Sequence, residues 1–179
     1  MFKTAGADRI LTLDLHTSQI QGFFDGPVDH LFALPVLAQH IKSTRPTDNF
    51  AVVSPDSGRV RLAERWAETL GGTPLAFIHK TRDPLKPNEA VANRVVGEIE
   101  GRCCVVIDDM IDTGGTVAKA VEVLLKEGAS DVIVAATHGV LSGPATERLA
   151  NCGASEVIFT DSLPIPAEKR FDSMTVLPI

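Results

Sequence analysis

Short β-branched runs alternate with amphipathic stretches along most of the chain. Residues 9–14 (RILTLD), 50–54 (FAVVS), 74–79 (PLAFIH), 103–108 (CCVVID), 131–137 (DVIVAAT) and 156–160 (EVIFT) predict strands. The near-continuous apolar character of 103–108 and 131–137 suits strands buried on both faces. Helical spacing predicts helices over 33–43, 59–70, 115–127 and 143–150. In the second, Val60, Ala63, Trp66, Ala67 and Leu70 share one stripe. In the third, Ala118, Val121, Leu124 and Leu125 do so, with Gly128 as the stop. Strand, helix, strand at this rhythm predicts an α/β fold: a mostly parallel sheet flanked by helices, with right-handed crossovers. In such sheets a ligand sits at the carboxyl ends of the strands. Two segments break the rhythm. Residues 80–92 hold two prolines and five charges and read as a mobile loop, and residues 161–174 read as irregular.

Composition narrows the partners. At 179 residues there is room for one full domain. Seventeen Lys and Arg against 23 Asp and Glu give a net charge of −6, which argues against a nucleic-acid partner. That balance is compatible with a site holding a divalent metal and an anionic small ligand. Cys103, Cys104 and Cys152 are odd in number and lack CxxC spacing, so they read as core thiols in a reducing compartment. No apolar run approaches the ~18 residues of a membrane span, and the N-terminus has no apolar leader core. The expectation is a cytoplasmic protein without a membrane partner.

The strongest chemical signal is residues 105–116, VVIDDMIDTGGT. An apolar strand runs into Asp108 and Asp109, then into Asp112-Thr113-Gly114-Gly115-Thr116 and a helix. The glycines let backbone N–H groups approach a phosphate, and the helix N-terminus adds partial positive charge. Thr113 and Thr116 can donate to the same oxygens. Asp108 and Asp109 suit the vicinal hydroxyls of a sugar, or a phosphate-bound Mg2+. A capped helix start explains one Asp and one Gly, but not the whole string. A second signal is residues 14–29, DLHTSQIQGFFDGPVD. Asp14 and His16, two apart, point to the same side if the strand continues, and form a partial shell for a divalent ion. Asp25 and Asp29 could add distant negative charge. On chemistry alone, one His after a strand is more often a structural hydrogen-bonder.

The 108–116 string resembles the phosphoribosyl-pyrophosphate (PRPP) motif of the type I phosphoribosyltransferase superfamily. Residues 14–29, with VVSPDSG (52–58), HKTR (79–82), VVGEIEGR (95–102) and ATHGVLSG (136–143), more specifically resemble the ribose-phosphate pyrophosphokinase family. The resemblance covers essentially the whole chain. It implies transfer of a diphosphoryl group from Mg-ATP to ribose 5-phosphate, giving PRPP and AMP. It implies Asp108 and Asp109 at the ribose hydroxyls, and Asp112, Thr113, Gly114, Gly115 and Thr116 around the 5-phosphate. Lys80 and Arg82 would be loop cations closing over the transferring group, a role that phosphoryl transfer favours. Without the resemblance they read as solvated charges. His16, Asp56 and Asp14 would serve Mg2+, although Asp56 beside Pro55 also suits an ordinary Asx turn. His138 and Ser142 are possible support, and His30, His40 and His79 have no assigned role. Arg59 stands where many family members have a second glycine, in a loop expected to contact pyrophosphate. Its backbone N–H and its charge could still serve phosphates.

Family members are roughly twice this size, with two tandem halves and homo-oligomeric assembly. The resemblance therefore implies that residues 1–32 are a strand and connector belonging to an absent first half, and that 33–179 form the phosphoribosyltransferase-like domain. An apolar edge at Ile10, Leu11, Leu13 and Leu15 would then invite pairing with another copy. Ribose 5-phosphate binding with weak or absent synthesis is the corresponding expectation. The rival readings are a non-catalytic sugar-phosphate-binding regulatory subunit and a PRPP-consuming phosphoribosyltransferase.

Overall fold

Among the described residues the strands form two sheets. The computed structural model describes residues 1–46, 48–81 and 92–179. Within these, β1 (Ile10–Leu13) and β2 (Val28–Leu31) form a small parallel pair, joined through a 3-10 turn at Ser18–Phe23. The larger sheet has seven strands. They are β3 (Phe50–Ser54), β4 (Leu75–Thr81), β5 (Ala92–Val96), β6 (Cys103–Ile111), β7 (Asp131–Gly139), β8 (Glu156–Thr160) and β9 (Met174–Leu177). Their spatial order is β5-β4-β3-β6-β7-β8-β9, and β5 alone runs antiparallel, against β4.

Four α-helices cover this sheet: α1 (Leu34–Thr44), α2 (Val60–Thr69), α3 (Gly115–Lys126) and α4 (Ala145–Ala150). Strand alternation sorts the core into two layers. Phe50, Val52, Val105, Ile107, Ile133 and Ala135 pack against Leu37, Ile41 and Trp66 of α1 and α2. Ala51, Val53, Cys104, Val106, Val132 and Val134 pack against Val121, Leu124 and Leu149 of α3 and α4. Burial on both faces is why these strands carry no polar alternation. The expected mostly parallel sheet flanked by helices is what forms.

The differences from the sequence reading have local causes. β2, β5 and β9 lie in stretches without a strong strand pattern, two of them at the edges of the large sheet. β6 runs three residues further than the apolar pattern, so Asp108 and Asp109 lie inside the strand. Residues 82–91, most of the expected loop, are outside the described residues, and Arg82 is among them.

The topology creates a crevice. From β3 the chain winds outward to β4 and β5, then returns to β6 on the other side and winds outward to β9. Pairing of β3 with β6 stops at Val53–Val106, whereas β6 and β7 stay paired to Ile111–Gly139. The last five residues of β6 therefore have an open edge beside the turn that follows β3. This is the switch point, where ligands of such sheets bind.

Candidate active site

At that crevice lies a cavity of about 220 Å3, lined by residues 108–117 with His16, Asp56 and Arg59. A second, of about 640 Å3, shares His16, Asp56, Arg59 and Asp109 and continues past Asp14, Arg61 and Arg65. The first cavity gathers the whole 108–116 string with two of the three expected metal ligands.

The loop owes its form to its glycines and its neighbours. Gly114 has φ +71°, the left-handed region that a side chain avoids, and leads directly into α3. The first N–H groups of a helix lack intrahelical acceptors, so α3 aims free donors and its positive end at the cavity. Asp112, Thr113 and Thr116 are exposed there. The loop is braced from behind: Ser142 N–H donates to the Asp112 carbonyl at 3.0 Å, and the Arg148 guanidinium to the Thr113 carbonyl at 3.0 Å. Ser142 thus supports the loop through its backbone rather than its hydroxyl. Arg148 was missed, because nothing local in the sequence links it to a residue 35 positions earlier.

The acidic pair is sheltered. Asp109 is 5% exposed, and its Oδ1 accepts from the Met110 N–H at 2.9 Å. Asp108 Oδ1 accepts from the Asp109 N–H at 2.9 Å. Burial, then the hydrogen bond and charge of Asp109, push the Asp108 carboxyl up from 3.8 to about 7, although Arg59 pulls the other way.

Arg59 is in the site, with partners the sequence did not indicate. It follows a turn in which Asp56 Oδ1 accepts from the Gly58 N–H at 2.8 Å, the Asx turn that Pro55-Asp56 suggested. From there Arg59 Nη2 reaches Asp109 Oδ1 at 2.9 Å, and Nε lies 3.4 Å from Asp108 Oδ1. Nη1 donates to the His16 carbonyl at 3.2 Å. Its charge therefore faces carboxylates, which corrects the expectation of a side chain turned to phosphate. His16 Nδ1 sits 2.9 Å from Asp109 Oδ2 and 2.6 Å from Arg59 Nη2. One ring nitrogen cannot both donate to the carboxylate and accept from the guanidinium, so one of these contacts is always unfavourable.

Asp14 has a different task. The chain leaves its extended path there, with φ +40°, so the alternation that put Asp14 beside His16 does not apply. Asp14 Oδ2 accepts from the Ala33 N–H at 2.9 Å and the Thr137 hydroxyl at 2.6 Å. Both bonds are buried; the first ties Asp14 to the start of α1 and the second to β7 of the large sheet. His138 Nε2 adds a 3.0 Å bond to the Leu13 carbonyl. The Asp14 side chain thus serves as a structural clamp, a role its expected place in a metal shell did not include. Among the described residues no three His, Cys, Asp or Glu side chains are grouped to hold a metal ion. His16, Asp56, Asp108 and Asp109 line one cavity and are donors of the kind a divalent ion takes, and Arg59 now occupies the acidic pair among them. Asp25 takes no part in either cavity, and Asp29 pairs instead with the Arg9 guanidinium. Lys80 lies near the end of β4.

Known proteins bear on what this site serves. The family described as the phosphoribosyl synthetase-associated domain matches residues 74–176. A ribose-phosphate pyrophosphokinase of Mycobacterium leprae is 68% identical over 179 residues, covering all of this chain and 55% of that protein. The chain thus spans about half the length of the curated relatives it matches. The crystal structure of a phosphoribosylpyrophosphate synthetase from Mycobacterium smegmatis is similar with a TM-score of 0.90 and 61% identity, over 98% of this chain and 56% of that one. A purine phosphoribosyltransferase from Pyrococcus horikoshii, 16% identical over 97% of this chain and 89% of its own, shares the fold with a TM-score of 0.50. With a glycine-containing loop at the switch point of its mostly parallel sheet, the chain belongs to the family described as the phosphoribosyl synthetase-associated domain, and it is similar to ribose-phosphate pyrophosphokinases over about half their length.

Proposed function

We propose that this chain holds the ribose 5-phosphate and PRPP site of a ribose-phosphate diphosphokinase. In the reaction, the 1-hydroxyl oxygen of ribose 5-phosphate attacks the β-phosphorus of ATP. The bond from that phosphorus to the α–β bridging oxygen breaks, AMP leaves and the hydroxyl proton is released. The observation that carries the reading is the 108–116 loop. The 5-phosphate accepts hydrogen bonds from N–H groups at the start of α3, with Gly114 and Gly115 allowing close approach, and from the Thr113 and Thr116 hydroxyls. Asp112 stands at the rim of the same cradle. The sugar's vicinal hydroxyls donate to Asp108 and Asp109.

Lys80 and Arg82 are proposed as the cations that stabilise charge on the transferring group. The names of the relatives support this reaction, and the family's Mg2+ dependence makes that ion part of the proposal, as the counter-charge on the ATP phosphates. His16 and Asp56 are its candidate protein ligands once the site rearranges. Free thiols support a cytoplasmic setting, and among the described residues no helix is long and apolar enough to cross a membrane. Pairing with further copies of the chain is also proposed. With 55% of the relatives' length, this chain is proposed to bind the sugar phosphate but to synthesise PRPP weakly or not at all by itself.

Calorimetry tests the reading. Ribose 5-phosphate should bind the 179-residue chain, and Asp108→Asn should weaken it by roughly tenfold or more, as for a lost charge-assisted hydrogen bond. No ribose 5-phosphate binding, with turnover of PRPP and a nucleobase instead, would replace this reading by a phosphoribosyltransferase. Rapid PRPP synthesis by this chain would overturn the expectation of weak activity.

A further inference from the structure

We propose that Arg59 is a tethered cation that holds the acidic pair of this site closed and that a divalent ion must displace it to bind there. The inference rests on the reading of the cavity as a sugar-phosphate and metal site, and it names the residue that sets metal affinity.

The geometry is that of a cation seat already taken. The Arg59 guanidinium touches Asp109 Oδ1 at 2.9 Å, approaches Asp108 Oδ1 at 3.4 Å and caps the His16 carbonyl at 3.2 Å. The Asp109 side chain is 6% exposed and that of Asp108 17%, so negative charge on this pair needs a counter-charge. Arg59 supplies one without any ion. A divalent ion would use the same oxygens and the same His16 ring, and a guanidinium cannot share them with it. Arg59 also stands where the two cavities meet, since it lines both. Moving it would therefore expose the acids and join the smaller cavity to the larger.

Two features make it displaceable. The side chain is held by contacts at its tip, and it springs from a 3-10 turn at Ser57–Arg59 rather than from the body of α2. Its contact with His16 is also in conflict with that of Asp109, because both address the same Nδ1. A ligand that takes over Asp109 relieves that conflict.

The test uses Mn2+ alone as the probe, with binding to the full chain followed by electron paramagnetic resonance. Arg59→Ala should bind Mn2+ about tenfold tighter than the unaltered chain, a change of ~1.4 kcal/mol. Arg61→Ala removes an equal charge from the larger cavity only, and should tighten binding far less. Equal or weaker Mn2+ binding by Arg59→Ala, or the same gain in Arg61→Ala, overturns the proposal. Should Arg59→Ala fail to fold, Arg59→Gln carries the same comparison. In the unaltered chain, NMR of the arginine Nε–H groups gives a second reading. One signal protected from water exchange should lose protection as Mg2+ is added, and its persistence at saturating Mg2+ would overturn the proposal. If no form of the chain binds Mn2+ while ribose 5-phosphate still binds, this inference falls and the sugar-phosphate reading stands. Loss of both binding events would sink the reading itself.

Discussion

Asp108 is a carboxyl half-withdrawn from water beside a second carboxylate, and this gives the folded chain a distinctive response to pH. Its pKa rises to about 7 in the fold against an ordinary value near 3.8. Between those values the native state keeps a proton that the unfolded chain has released. Stability should therefore fall as pH rises from about 4 to 7, by on the order of a few kcal/mol. Asp108→Asn should flatten that slope, as thermal melts at pH 5 and pH 8 would measure; an unchanged slope would place the effect elsewhere. Two thiols are shifted in the same direction for the same reason: burial pushes Cys103 up to about 11 and Cys104 to about 12, which leaves them unreactive. The geometry of the loop was legible in the residues: Thr113 to Thr116 lie within one loop, so their order in the chain already describes their arrangement. Arg59 was not legible in that sense, because its partners at positions 16, 108 and 109 meet it only through the sheet. Asp14 misled for the same reason: its acceptor role depends on Thr137, 123 residues away.

At the scale of elements, the central strands and four helices followed from periodicity, because burial on both sheet faces leaves an unbroken apolar run. The edge strand β5 carries Asn93 and Arg94 and has a single neighbour, so its sequence is under weaker hydrophobic constraint. Its end is governed by Gly97 instead. This residue has φ +121°, and a Cβ there would lie 2.7 Å from the Leu75 carbonyl oxygen and the Ala76 Cβ. Those neighbours belong to β4 and cannot swing aside. Gly97→Ala should destabilise the fold by roughly 2–4 kcal/mol. A urea midpoint unchanged by the substitution would show that β5 is free to move away from β4.

At the scale of the whole molecule, the apolar surface is unevenly shared. Phe23 is 91% exposed, Phe2 69% and Leu11 68%, all within the first 32 residues. There β1 and β2 form a sheet of two strands, a unit that is marginal alone and has open edges. The chain should self-associate with rising concentration, as light scattering would detect, and Leu11→Lys with Phe23→Ser should suppress it. A monodisperse chain at all concentrations would show that this surface does not pair. What ties this region down is the Asp14 clamp, and His16 lies only two residues beyond it. The fully buried core of the seven-stranded sheet holds no residue of the first 32, although Leu13 packs against it, yet the cavity cannot keep its histidine without them. A protease cut in that stretch would thus leave spectroscopic signs of a healthy fold while silently disarming the cavity, so an assay of foldedness is a poor proxy for an assay of competence.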